Sequence, residues 1–153
     1  MHVGPFPDRE AMLAWLRECA AATDCVTLTV VDSATERRLG MATFMRIREA
    51  MRTLELGSIW YGLDTQRTHV NTETIYLMLC EAFDHLACRR VEWKCDALNE
   101  RSRKAALRLG FEFEAIFRQH MVIKGRSRDT AWFAMLDEDW PAIKARLESL
   151  LGL

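Results

Sequence analysis

Little in this chain of 153 residues would commit it to a membrane or a polyanion. No apolar run approaches the ~18 residues that a membrane-spanning helix needs. Met1 to Asp8 has no basic segment followed by an apolar stretch, so no leader is expected. An excess of one charge is missing as well. There are 21 Lys and Arg against 22 Asp and Glu, and the net charge is -1. That leaves no global field to favour nucleic acid or a membrane surface. The clusters Arg37–Arg38 and Arg101, Arg103, Lys104 read as solvated faces. The five cysteines contain no CxxC pair and are odd in number. They fall inside regular elements and read as reduced, buried thiols, which points to the cytoplasm. His85 and Cys88 stand three apart without a second ligand pair, so no metal site is expected. Repeats, low-complexity segments and linkers are absent.

What the chain does have is apolar content. Half of its residues are apolar, and a chain of this length can bury roughly 68–70% of its unfolded surface. One domain over 1–153 is the expectation. Asp8 caps a first helix that runs to about Ala21, with Met12, Trp15, Leu16 and Cys19 on one face. Strands follow at Cys25–Val31, Leu39–Ile47 and Arg52–Tyr61. In the third, Leu54 and Leu56 share one face and Glu55 points the other way. Gly57 interrupts the pattern, as glycine does at a bulge or a close backbone approach. A helix over Thr72–Leu86 buries Ile75, Met78, Leu79, Ala82 and Leu86. Val91, Trp93 and Cys95 alternate with Glu92 and Lys94 in a strand. Asn99 caps the next helix and Gly110 stops it. Phe113–Ile123 and Thr130–Leu136 form a hairpin around Lys124-Gly125-Arg126. A last helix opens near Asp139-Trp140-Pro141 and turns Ile143, Leu147 and Leu150 inward. A strand–helix–strand–helix unit flanked by hairpins predicts an α/β (α+β) domain. Its mixed, mostly antiparallel sheet would carry helices on both faces.

The polar residues gather where strands end and helices begin, a usual ligand address in α/β sheets. Gln66-Arg67-Thr68-His69-Val70-Asn71-Thr72 leads into a helix whose first N–H groups and dipole suit phosphate. The segment from Arg52 to Leu109, with Glu55-Leu56-Gly57, this loop and Asn99-Glu-Arg-Ser102, resembles the acetyl-CoA-binding half of the GNAT acyltransferase superfamily. It looks most like the RimJ/RimL-type branch, which acetylates amino groups. The resemblance extends from Pro5 through the final helix. It implies acetyl-CoA as acyl donor and an amine as acceptor, on a small molecule or a protein N-terminus.

Acetyl transfer to an amine needs a neutral nucleophile, donors for the carbonyl oxygen, in-line positioning and an outlet for the thiolate. The resemblance assigns these tasks to particular residues. Gly57, Ser58, Ile59 and Trp60 would supply backbone groups that hold the pantetheine arm and polarise the carbonyl. Gln66 matches the first position of the pyrophosphate loop, while His69 and Asn71 stand where glycines are expected. Arg67 would add a charged contact. Glu55 is the candidate base, acting through water; an exposed carboxylate, or one paired with Arg52 or Arg118, is the alternative. Asn99 would bond the pantetheine, or serve only as an N-cap. Ser102 is the candidate donor to the thiolate, or a small residue that lets helices pack. No tyrosine occupies this helix. Arg118, His120, Arg126, Arg128 and Asp129 follow an Arg-x-His…Arg-Asp pattern on the hairpin. Arg128 and Asp129 read as structural; His120 reads either as a proton shuttle or as a strand tie. Trp60 and Arg118, with His120, are the candidate acceptor contacts. Cys95, a possible covalent nucleophile, points into the core by its alternation.

One expected feature is missing. The resemblance implies a strand and a helix before the element at Asp8–Ala21, where this chain has seven residues. Three expectations follow: a later-than-true start, a non-catalytic CoA-binding module or degenerate paralogue, or a truncated chain that folds only as a homodimer covering an exposed edge.

Overall fold

The computed structural model describes residues 4–153. Helix α1 (Arg9–Ala21) is capped by Asp8, whose carboxylate accepts from the Ala11 N–H at 2.8 Å. Strands β1 (Val26–Val31), β2 (Arg38–Arg48) and β3 (Thr53–Tyr61) then form an antiparallel meander. Helix α2 (Val70–Cys80) crosses over to β4 (Arg90–Asp96), which pairs parallel to β3. Helix α3 (Glu100–Leu109) leads to the hairpin of β5 (Glu112–Ile123) and β6 (Arg126–Leu136), and α4 (Trp140–Leu151) ends the chain. The six strands lie in the order β1-β2-β3-β4-β6-β5, and only β3 and β4 run parallel to each other. This is the mixed, mostly antiparallel sheet that the sequence predicts.

The core lies on one face of the sheet. Ala42, Phe44, Leu54, Leu56, Val91 and Phe133 point there and meet Ile75 and Leu79 of α2, Leu109 of α3 and Leu147 of α4. Gly110 ends α3 at φ +103, a conformation that suits glycine. On the opposite face, α1 lies across the β1–β3 half, with Trp15 and Cys19 near Thr27, Thr43 and Met45.

Several packing expectations need correction. Leu86 is 52% exposed. A π turn over Glu81–His85 follows α2, and its wider spacing rotates Leu86 off the buried stripe. Leu150 is 55% exposed, and its neighbour Leu151 packs on the core instead. The five thiols are free, but only Cys88 and Cys95 are buried; Cys19, Cys25 and Cys80 are half-buried.

Candidate active site

The sheet opens between its two parallel strands. β3 and β4 pair from Thr53↔Arg90 to Leu56↔Trp93 and no further. Beyond that point β3 keeps β2 as a partner, as far as Tyr61↔Gly40, and β4 keeps β6, as far as Asp96↔Thr130. The inner edges of Gly57–Tyr61 and Lys94–Asp96 are left without a strand between them. Backbone groups that a continuous sheet would pair are available there to a ligand.

A bulge marks the opening. The β2–β3 register shifts between Met41↔Trp60 and Thr43↔Gly57. The left-handed residue is Ser58, at φ 49, and not Gly57. Gly57 serves a different need, since a Cβ there would come within 2.5 Å of Met45 Sδ. Ser58, Ile59 and Trp60 are all half-buried along the opened edge. A cavity of about 240 Å³ reaches Ser58 from beneath α1, with Trp15 and Met45 on its walls. Trp60 lines a neighbouring cavity with Phe6 and Trp15.

The loop at the end of β3 also differs from the glycine pattern, and the reason is local. Its left-handed residue is Arg67, at φ 65. His69 precedes α2 in ordinary helical geometry, φ -67 and ψ -18, and Asn71 is already helical. Neither position therefore demands glycine. Thr68 Oγ1 accepts weakly from the Val70 N–H at 3.3 Å and donates to the Thr65 carbonyl at 2.7 Å. The N–H groups of Asn71 and Thr72 have no acceptor among the described residues. Gln66, Arg67, Thr68 and His69 are exposed. Free N–H groups at a positive helix end, beside an exposed arginine, fit an anionic phosphate. Arg108, which the sequence does not single out, reaches across from α3. It donates to Thr72 Oγ1 at 2.7 Å and to Asn71 Oδ1 at 2.8 Å. It thus ties the helices on the two sides of the opening together.

On the β4 side, Asn99 is the N-cap of α3; its Oδ1 accepts from the Ser102 N–H at 3.1 Å. Ser102 Oγ accepts from Trp93 Nε1 at 3.0 Å, so its own hydrogen is available to donate, with the Cys95 sulfur as one acceptor in reach. Burial pushes the Cys95 thiol up, against an opposing hydrogen bond with Ser102. A buried thiol held protonated is a poor nucleophile.

Glu55 lies on the α1 face, 7% exposed, one pair before the last β3–β4 pair. Its expected partners are not its actual ones. Arg52 is turned toward the Ala87 carbonyl, and Arg118 is exposed on a bulge of β5. Oε2 instead meets Lys94 Nζ at 3.0 Å and Arg46 Nε at 3.1 Å. Lys94 was visible in the sequence only as a residue on the polar side of its strand. The parallel register Glu55↔Glu92 is what brings it to Glu55. His120 Nδ1 bonds Thr130 Oγ1 at 2.9 Å, and its ring packs with Phe117 and Trp132. Asp129 Oδ1 accepts from the Gln119 N–H at 2.7 Å and holds the bulge, a structural role as expected.

A sheet that parts between parallel strands, with helix starts at its open end, defines an acyl-CoA N-acyltransferase-like fold. The profile of the "Acetyltransferase (GNAT) domain" family matches residues 1–112. This chain belongs to the GNAT acetyltransferase family. A GCN5-related N-acetyltransferase from Brucella melitensis is 42% identical and superposes with a TM-score of 0.93, over 97% of this chain and 67% of that one. The Bacillus subtilis (strain 168) protein named "Putative ribosomal N-acetyltransferase YdaF" is 25% identical over 105 residues. That alignment takes in 69% of this chain and 57% of YdaF, so the chain spans little more than half of this relative's length. The spermidine N-acetyltransferase from Vibrio cholerae in complex with CoA and spermine shares the fold, with a TM-score of 0.76 at 16% identity, over 92% of this chain and 82% of that one.

Proposed function

We propose that this chain is an N-acetyltransferase that moves the acetyl group of acetyl-CoA to a primary amine by direct attack in a ternary complex. The observation that carries this reading is the separation of β3 and β4 past Leu56↔Trp93, with α2 and α3 starting at its open end. The pantetheine arm would lie along Ser58, Ile59 and Trp60, bonded to the backbone groups that β4 leaves free. The pyrophosphate would sit on the start of α2, held by Gln66–Thr72, with Arg67 as the added charge. Asn99 would meet the pantetheine on the other side, as far as its capping bond allows.

Glu55 takes the proton that the amine must lose, through a water. The new N–C bond forms as the C–S bond breaks, and the departing thiolate receives a proton from solvent, either directly or through Ser102 Oγ, which regains its proton from solvent. The buried Cys95 thiol argues against a covalent acyl-enzyme. The acceptor is an amine on a small molecule or a protein N-terminus, with Trp60, Arg118 and His120 as the contacts to test. One observation favours a second reading, a non-catalytic CoA-binding module: Glu55 already carries two cations.

Calorimetric titration with acetyl-CoA, beside dephospho-CoA and ATP, followed by an amine panel, separates the two readings. Selective acetyl-CoA binding with turnover supports the enzyme. Selective binding without turnover on any amine supports the module. A folded chain that binds none of the three refutes both.

A further inference from the structure

The lysine beneath Glu55 has an unusual setting. Lys94 lies on β4 one residue past the last β3–β4 pair. Its side chain is 8% exposed, and a buried ammonium is costly unless it is fully paired. This one is paired three ways. Nζ lies 3.0 Å from Glu55 Oε2, 2.7 Å from Glu92 Oε2 and 3.7 Å from the centroid of the Trp132 ring. A single side chain therefore joins β3, β4 and β6 where the sheet opens.

The two oxygens of Glu55 are treated differently. Lys94 and Arg46 both approach Oε2, which is buried and makes no well-angled hydrogen bond. Oε1 makes no hydrogen bond among the described residues, and the closest approach of each cation is to Oε2. It lies 3.7 Å from where a Cβ of Gly57 would stand, so it faces the bulge. Arg46 is half exposed and holds its charge at the rim, whereas Lys94 is anchored on both sides by Glu92 and Trp132.

We infer that Lys94 is a positioning residue for the transfer reaction. By fixing Oε2, it sets the rotamer of Glu55 and presents Oε1, through the relaying water, to the acceptor amine at the bulge. This inference rests on the acetyltransferase reading above. It differs from a purely structural role for Lys94, because the benefit passes through Glu55 and disappears when Glu55 cannot act.

The test is a kinetic comparison of wild type, K94M, K94R, E55Q and the K94M/E55Q double variant, using an amine that the panel finds active. Calorimetric acetyl-CoA affinity and a melting curve accompany each. K94M keeps the length and apolar stem of the side chain and removes the charge. Its kcat should fall about tenfold or more while acetyl-CoA affinity holds, as for a group acting on proton transfer alone. K94R should recover part of the loss. The double variant should be no slower than E55Q. An equally active K94M, or a loss that is the same on both backgrounds, overturns the inference while the acetyltransferase reading stands. If K94M does not fold, K94Q decides: reduced kcat at unchanged affinity, with no further loss on the E55Q background, supports the role, and full activity overturns it. A wild type that turns over no amine overturns the acetyltransferase reading and this role together.

Discussion

Ile75, Leu79, Leu109 and Leu147 are completely buried on the face of the sheet that α2, α3 and α4 cover, whereas α1, on the other face, has no buried residue. The difference is one of chemistry as well as packing. The covered face is largely apolar. The α1 face carries Glu55, Glu92, Lys94 and Trp132, and a cavity under the helix. Burial of apolar area is the main source of folding free energy, so the covered face holds the fold together. The other face is left more open and polar, which suits the acceptor site proposed for it.

Removing packing from each face is the strongest way to break this contrast. Leu79→Ala leaves a cavity in the fully buried layer and should cost about 2–5 kcal/mol in denaturant unfolding. Trp15→Ala removes a larger side chain from half-buried α1, yet should cost only about 1 kcal/mol. Equal losses would mean that α1 is as much a part of the core as α2.

Glu55→Gln addresses chemistry on the α1 face without disturbing the covered face. The proposed base makes kcat fall about 10²-fold while acetyl-CoA affinity stays nearly unchanged. Unchanged turnover removes Glu55 from the mechanism and favours the binding-module reading.

How far the sequence carried the description differs between the faces in the same way. The covered face was legible because apolar residues recur with the period of their element: Leu54 and Leu56, or Ile75, Met78 and Leu79. It failed where the period itself broke, at the π turn that exposes Leu86. The polar face was legible only residue by residue. Alternation put Glu55 on one side of β3, but its partners depend on strand order and register. Lys94 comes from a parallel neighbour reached by a crossover helix, and Arg46 from an antiparallel one. Positive φ was harder still. Glycine guided the expectation, yet Ser58 and Arg67 take the left-handed conformations. Such strain appears only when the surrounding structure imposes it. Arg108 carried no local signal, since its partners on α2 are more than thirty residues away in sequence.

A smaller effect tests the junction between the faces, at the start of α3. Asn99→Ala loses the cap on the Ser102 N–H and should cost about 1 kcal/mol of stability. Measured beside it, acetyl-CoA affinity assigns the residue. A fall in both gives Asn99 two roles, and a fall in stability alone leaves it a cap.

The smallest predicted effect concerns acid, and it belongs to the polar face. Burial pushes the Glu92 carboxyl up, but hydrogen bonds from Lys94 and Arg90 outweigh it and hold the group below its ordinary value of 4.5. The folded state therefore binds this proton less readily than the unfolded chain does. Its stabilising contribution is complete above about pH 4.5 and is lost as pH falls through the lower, folded-state value. Protonation of Glu92 removes its attraction to both Lys94 and Arg90. The stability difference between wild type and Glu92→Gln should hold constant from neutral pH down to that point and shrink below it. Leu79→Ala, which involves no titrating group, should show a difference independent of pH over the same range. A Glu92 difference that is equally flat would mean its pairs with Lys94 and Arg90 contribute no net stability, and that the polar face is tuned for its chemistry alone.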